Sequence, residues 1–201
     1  MRHIPMAAFI LLLTVSTYGQ TAGPQPCTLK LSQAPAVRGV KLDMTLDELF
    51  SVFPGLSEQV AYLVNAEGYP KFGYASFAIT PLNYSTKDRF TGIEQYYVML
   101  FDRRVVGLSV DYAAFPIGAR WRNTDDLVQI FSESLHLPSY KSWVAEQTYP
   151  RRILNCDGFQ IAVTAANDRA HIRFSGNGSW EQTQKDRLAA FEEQKRREFK
   201  P

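Results

Sequence analysis

The sequence predicts an α+β fold, with two helix-plus-antiparallel-sheet units in tandem and a charged C-terminal helix. Three observations carry this reading. A capped amphipathic helix at residues 45–53 recurs 78 positions later at 123–131. Each copy is followed by β-like runs rather than alternating helices, which argues against a doubly wound parallel sheet. Two hairpin patterns, at 93–112 and 159–175, have registers that gather apolar side chains on one face.

Taken in order, residues 1–19 carry a basic start (Arg2, His3), an apolar stretch over 6–15 and the small-residue region Ser16, Thr17, Tyr18, Gly19. This is the pattern of a secretory signal peptide, too short to span a bilayer as a mature helix, with cleavage expected after Gly19. Gln25 and Pro26 precede Cys27 where a lipoprotein box would have small and aliphatic residues, so no lipid anchor is expected. The expected location is periplasmic or secreted, with no stable membrane insertion. Without the leader the charge falls from +2 to +1, which gives no general attraction to nucleic acid or anionic lipid. Cys27 and Cys156 are the only cysteines, and an even count in an oxidising compartment predicts a disulfide.

Residues 20–36, rich in Pro, Gly, Ser and Thr, read as an extended arm with Thr28, Leu29, Lys30 and Leu31 as its candidate strand. The first unit then runs over 37–117. Thr45 and Glu48 form a capping box, Leu46, Leu49, Phe50 and Phe53 make an apolar stripe, and Pro54-Gly55 stops the helix. Residues 56–70 are ambiguous, 72–80 can form a strand that Pro81 ends, and 83–89 are turn-like. In the 93–112 hairpin, Asp102-Arg103 as the loop pairs Met99 with Val106, Tyr97 with Leu108, Gln95 with Val110 and Ile93 with Tyr112. Arginine suits a positive φ poorly, so a four-residue loop in the same register is an equal alternative.

The second unit covers 118–178. Asn123, Asp125, Asp126, Leu127, Ile130 and Phe131 align with Thr45, Asp47, Glu48, Leu49, Val52 and Phe53. The second hairpin, turning at Asn167-Asp168, pairs Val163 with Ile172, Ile161 with Phe174 and Ala165 with Ala170. Residues 179–201 form the charged tail, with Glu193 and Arg197 at i,i+4 spacing and Leu188, Ala189 and Phe191 as an apolar patch.

The chemistry-bearing residues are few. His136 follows the second helix and fits a cap near its negative end; His171 sits beside Arg173 on a polar strand face. The acidic pairs Asp47-Glu48 and Asp125-Asp126 occupy first helical turns, where the macrodipole accounts for them. No nucleophile elbow, phosphate loop, HExxH or paired CxxC occurs. No catalytic residue, metal site or cofactor is therefore assigned. The anomaly is aromatic: the face of the first hairpin opposite the expected core carries Tyr96, Val98 and Leu100, and Phe72 and Tyr74 can join it. Such a face is either covered by another layer, the arm or the C-terminal helix, or is a binding surface. Phe72, Tyr74, Tyr96, Val98 and Leu100 are the candidate surface.

The run Gly39, Val40, Lys41, Leu42, Asp43, Met44, Thr45, before an amphipathic helix and a meander with an Asp-containing hairpin, resembles the G-M-T-x-x-x-V/L helix start of BamE (SmpA/OmlA)-like and β-lactamase-inhibitor-protein-like domains. Residues 38–45 also look like the R-G-V/I-K/R-L-x-M-T opening of exported proteins of unknown function. Asp43 stands where the family usually has glycine, a position open to Asp if φ is positive. The resemblance implies a periplasmic or secreted scaffold that binds another protein through its sheet, with no inhibitory residue carried over. The expected function is thus non-catalytic binding of an unidentified protein or cell-envelope ligand. Alternatives are a hydrolase-like enzyme with an unrecognised site and a structural envelope component. The oligomeric state is left open.

Overall fold

The computed structural model describes residues 25–65, 72–84, 87–112, 121–166 and 169–199. The expected leader, the junction at 117/118 and the Asn167-Asp168 turn lie outside these residues. Helix α1 (Leu46–Val52) begins where its capping box requires. The Glu48 amide donates to the Thr45 hydroxyl at 3.2 Å and the Thr45 amide to the Glu48 carboxylate at 2.6 Å. After the Pro54-Gly55 stop, where Gly55 takes φ 88°, the ambiguous stretch becomes a second helix, α2 (Leu56–Asn65). Its Leu56 and Val60, one turn apart, are buried.

Helix α3 (Thr124–Ser134) starts on Asn123, whose side chain accepts the Asp126 amide at 2.9 Å. It ends on a left-handed His136 (φ 53°), with the Leu137 amide donating to Ser132 and the Leu135 amide to Phe131. His136 thus caps through its backbone conformation.

The strands are β1 (Tyr74–Ile79), β2 (Ile93–Phe101), β3 (Arg104–Tyr112), β4 (Val144–Ala145), β5 (Arg151–Asn155), β6 (Phe159–Ala166) and β7 (Arg169–Gly176). They form one antiparallel sheet in the order β1-β2-β3-β7-β6-β5-β4. The two halves therefore share a sheet, joined where residues 107–112 of β3 pair with 170–175 of β7. One face is the core. The cross-strand row Ile79, Tyr96, Val110, Ile172, Val163 and the next row Val98, Leu108, Phe174, Ile161, Leu154 are all buried. The aligned phenylalanines of the two helical copies close this face: Phe53 packs on Tyr96 at 5.7 Å and Phe131 on Phe174 at 6.2 Å. The sequence match between 45–53 and 123–131 thus corresponds to two helices laid on one side of one sheet.

The second hairpin has the expected register, with Val163 opposite Ile172, Ile161 opposite Phe174 and Ala165 opposite Ala170. The first hairpin turns on two residues, with φ 47° at Asp102 and 64° at Arg103, so arginine does adopt the left-handed conformation. Its register departs from expectation. Leu100 pairs with Val105 but Met99 with Gly107, leaving Val106 as a bulge; a second irregularity restores Ile93 opposite Tyr112. This bulge inverts the faces assigned to β2, setting Tyr97 opposite Ser109 and Tyr96 opposite Val110.

The arm holds no strand at 28–31. Lys30 makes one parallel bridge to Asp157, the Asp157 amide donates to Leu29 at 2.9 Å, and residues 31–33 form a 3₁₀ turn. The Cys27–Cys156 disulfide (Cα–Cα 4.6 Å) ties the arm to the end of β5. Asp43 takes the left-handed φ of 61°, and Arg104 donates to its carbonyl and carboxylate. Helix α4 (Ser179–Glu198) lies at one corner of the opposite sheet face. No described helix is long and apolar enough to cross a membrane.

Candidate functional site

The core row of the sheet has an open counterpart. Displaced by one residue, Ala78, Tyr97, Ser109, Arg173, Ala162, Ile153 and Val144 pair in succession across all seven strands. None of the seven is buried, and Tyr97 and Val144 are each 46% exposed. A seven-stranded antiparallel sheet with helices on one face leaves the other to solvent or to a partner. Among the described residues only the β1–β2 corner is covered.

That cover is α4. Trp180 stacks on Tyr74 at 6.0 Å and meets Phe101 at 6.1 Å, while Phe191 meets Phe72 edge-on at 5.5 Å. Arg187 pairs with both carboxylate oxygens of Asp102 at 2.7 and 2.8 Å and lies over the Phe101 ring. Gly73, at φ 69°, permits this close approach, since a Cβ there would come within 2.3 Å of Asp102 Oδ1. The side chains facing the sheet are spaced as Trp180, Gln184, Arg187 and Phe191. Leu188, expected in the apolar patch, is 44% exposed.

The candidate surface expected from sequence is therefore divided and mostly withdrawn. Tyr96, Val98 and Leu100 each have no accessible surface and belong to the core face. Phe72 and Tyr74 lie beneath α4 and are half-buried. The physical reason is the Val106 bulge, which places the apolar alternation of β2 against the helices and turns Tyr97 and Met99 outward. Gly107 was the available signal, because a glycine within a strand pattern marks a bulge or a close backbone approach.

At the centre of the open face, Arg173 stands between Ser109 and Ala162. Among the described residues it has no hydrogen bond or ion pair. One pair along β7, His171 Nδ1 lies 2.5 Å from Asp111 Oδ1, and Thr164 is opposite His171 on β6. The order Thr164, His171, Asp111 has the types of a nucleophile, a base and an orienting acid. These strands use their amides in the ladder, however, so the row presents no amide pair for an oxyanion. Arg173 does not line the depression around His171, which is formed instead by Glu94, Asp111, Thr164 and Arg169 among others.

The acidic helix starts are occupied structurally. Arg152 donates to both oxygens of Asp125 at 2.7 and 3.1 Å and holds that carboxyl below its usual value; Arg122 donates to the one oxygen Oδ2 of Asp126, from Nε at 2.9 Å and its amide at 3.2 Å, and lowers that carboxyl too. Hydrogen bonds from the Thr45 backbone and hydroxyl lower Glu48. Among the described residues no three His, Cys, Asp or Glu side chains are grouped to hold a metal ion.

Fold and surface together define an α+β protein built on a single half-covered antiparallel sheet. No family model matches the chain, and no curated protein or solved structure matches it significantly.

Proposed function

We propose that this is an exported, non-catalytic binding protein that engages a protein or cell-envelope ligand across the open face of its sheet. The observation that supports it best is the accessible row from Ala78 to Val144, with Tyr97 and Arg173, which has no partner among the described residues, on one sheet face. Tyr and Arg are the side chains most often found at binding hot spots, because each offers a large contact area with a directional polar end. Export is supported by the leader-like residues 1–19 and by the Cys27–Cys156 disulfide, a bond that persists in oxidising compartments. The resemblance of residues 38–45 to sheet-binding envelope domains points the same way.

The test is site-specific photo-crosslinking in the exporting cell. A photoreactive residue at Ala162 or Tyr97 is expected to capture one defined species, and the same residue at Gln129, exposed on α3, none. Capture from Gln129 alone, or equal capture from every position, would place the contact elsewhere and defeat this reading.

A further inference from the structure

A cavity of about 450 Å³ lies on the helix side of the sheet, away from the open face, between α3, the 37–40 turn and the adjoining ends of β3 and β7. Its wall is largely apolar, with Leu127, Ile130 and Phe131 from α3 and Ile172 from β7. Its polar lining includes Trp121 and Ser134, whose hydroxyl donates to the Ile130 carbonyl at 2.7 Å. Two further polar side chains border it, Arg38, exposed to solvent, and Tyr112. Among the described residues neither has a hydrogen-bond or ion-pair partner. Burial pushes the Tyr112 phenol up to about 12, with Arg38 pulling the other way, so at neutral pH it remains a protonated donor.

Arg38 is also held in an uncommon conformation. The Val37 amide donates to the Val40 carbonyl at 2.8 Å and the Val40 amide to the Val37 carbonyl at 3.1 Å, and the enclosed turn gives Arg38 φ 53° and Gly39 φ 94°. The turn presents a charged side chain from a backbone that L residues seldom adopt.

An apolar enclosure with a few convergent polar groups is the usual form of a small-molecule site, where the apolar wall supplies affinity and the polar groups fix orientation. The two unpartnered groups here are both donors and one is a permanent cation. Their complement is an anionic acceptor, and a carboxylate can take both in charge-assisted hydrogen bonds. We propose that this cavity binds an amphiphilic acid, its apolar chain or ring against α3 and Ile172 and its carboxylate at Arg38 and Tyr112. This site is separate from the open sheet face and stands or falls independently of the binding function proposed for that face.

Calorimetric titration of the mature, disulfide-intact protein with decanoate, using decanol as the uncharged control, tests it. Saturable one-to-one binding of decanoate is expected, with decanol weaker by about tenfold or more, the scale of one hydrogen bond to a charged group. Arg38→Asn removes the charge while suiting the left-handed turn. It is expected to weaken decanoate about tenfold and leave decanol unchanged, with the thermal midpoint preserved. Ile130→Trp, which fills the cavity, is expected to remove binding of both. Failure of the wild-type protein to bind decanoate, as when the protein's own side chains fill the space, overturns the proposal. So does equal affinity for decanoate and decanol, or an Arg38→Asn variant that binds decanoate like the wild type.

Discussion

Tyr96 and Tyr97 are neighbours in the chain with opposite environments. Tyr96 has no accessible surface, donates its hydroxyl to the Val37 carbonyl at 3.3 Å and is packed by Phe53 and Phe90; Tyr97 is 46% exposed. Tyr96→Ala is expected to cost about 3 to 5 kcal/mol in urea unfolding, the range for emptying a large aromatic site. Tyr97→Ala should stay within about 0.5 kcal/mol, as for surface substitutions. Similar losses for both would show that the two faces are not distinguished in solution. The carboxylates at the helix starts set the acid limit. Glu48, Asp125 and Asp126 are held below their ordinary values of 4.5, 3.8 and 3.8 by hydrogen bonds from Thr45, Arg152 and Arg122. A lowered carboxyl stabilises the folded state above its ordinary value, and that contribution disappears as pH falls through the folded value. Urea midpoints should therefore be level from neutrality to about pH 4.5 and fall below it. Glu48→Gln should reduce the drop, and an unchanged profile would remove Glu48 from this account.

Among the elements, α4 is attached differently from the others. Helices α1 and α3 contribute buried leucines to the core, whereas α4 has no fully buried residue and docks through Trp180, Arg187 and Phe191. A chain ending at Gly178 should keep its sheet signal in circular dichroism. It should lose about 2 kcal/mol, the burial of roughly one large side chain, and expose Tyr74 and Phe101 to a hydrophobic dye. Complete unfolding of this truncation would make α4 part of the core. The exposed last turns need no further partner to be helical, because Glu193 and Arg197 pair at 3.0 Å and Gln194 donates to Glu198 at 2.7 Å.

For the molecule as a whole, the β3–β7 ladder and the disulfide both join the two halves. With a continuous sheet and one core cluster, the halves should melt in a single transition by circular dichroism and tryptophan fluorescence. Two separated transitions would mean that each half carries its own stability. Cys27 and Cys156 are 129 positions apart, so replacing both with serine should cost about 4 to 5 kcal/mol on the chain-entropy model. The change in urea midpoint between this variant and the oxidised protein measures it.

Local rules were enough for α1, α3, α4 and the second hairpin, though not for α2. A capping box, an Asn cap and a period-two alternation each act within a few residues, and 45–53, 123–131 and 159–175 state them without interruption. The cysteine pair was likewise legible, since two cysteines permit only one intramolecular bond. The first hairpin was read in the wrong register because one bulged residue, Val106, shifts β3 by one against β2, so that Tyr96, Val98 and Leu100 share the core face with Leu108 and Val110. The candidate site moved with it, from Tyr96 to Tyr97 and Arg173. The open row and the Arg38–Tyr112 cavity are assembled from residues far apart in the chain, so no local spacing announces them. The sequence by itself determined the capped helices α1 and α3, the C-terminal helix and the strands of the two hairpins, but not α2, β4 or β5. Only the tertiary structure decided which face of the sheet is covered, because burial depends on how the strands align and on where the helices come to rest.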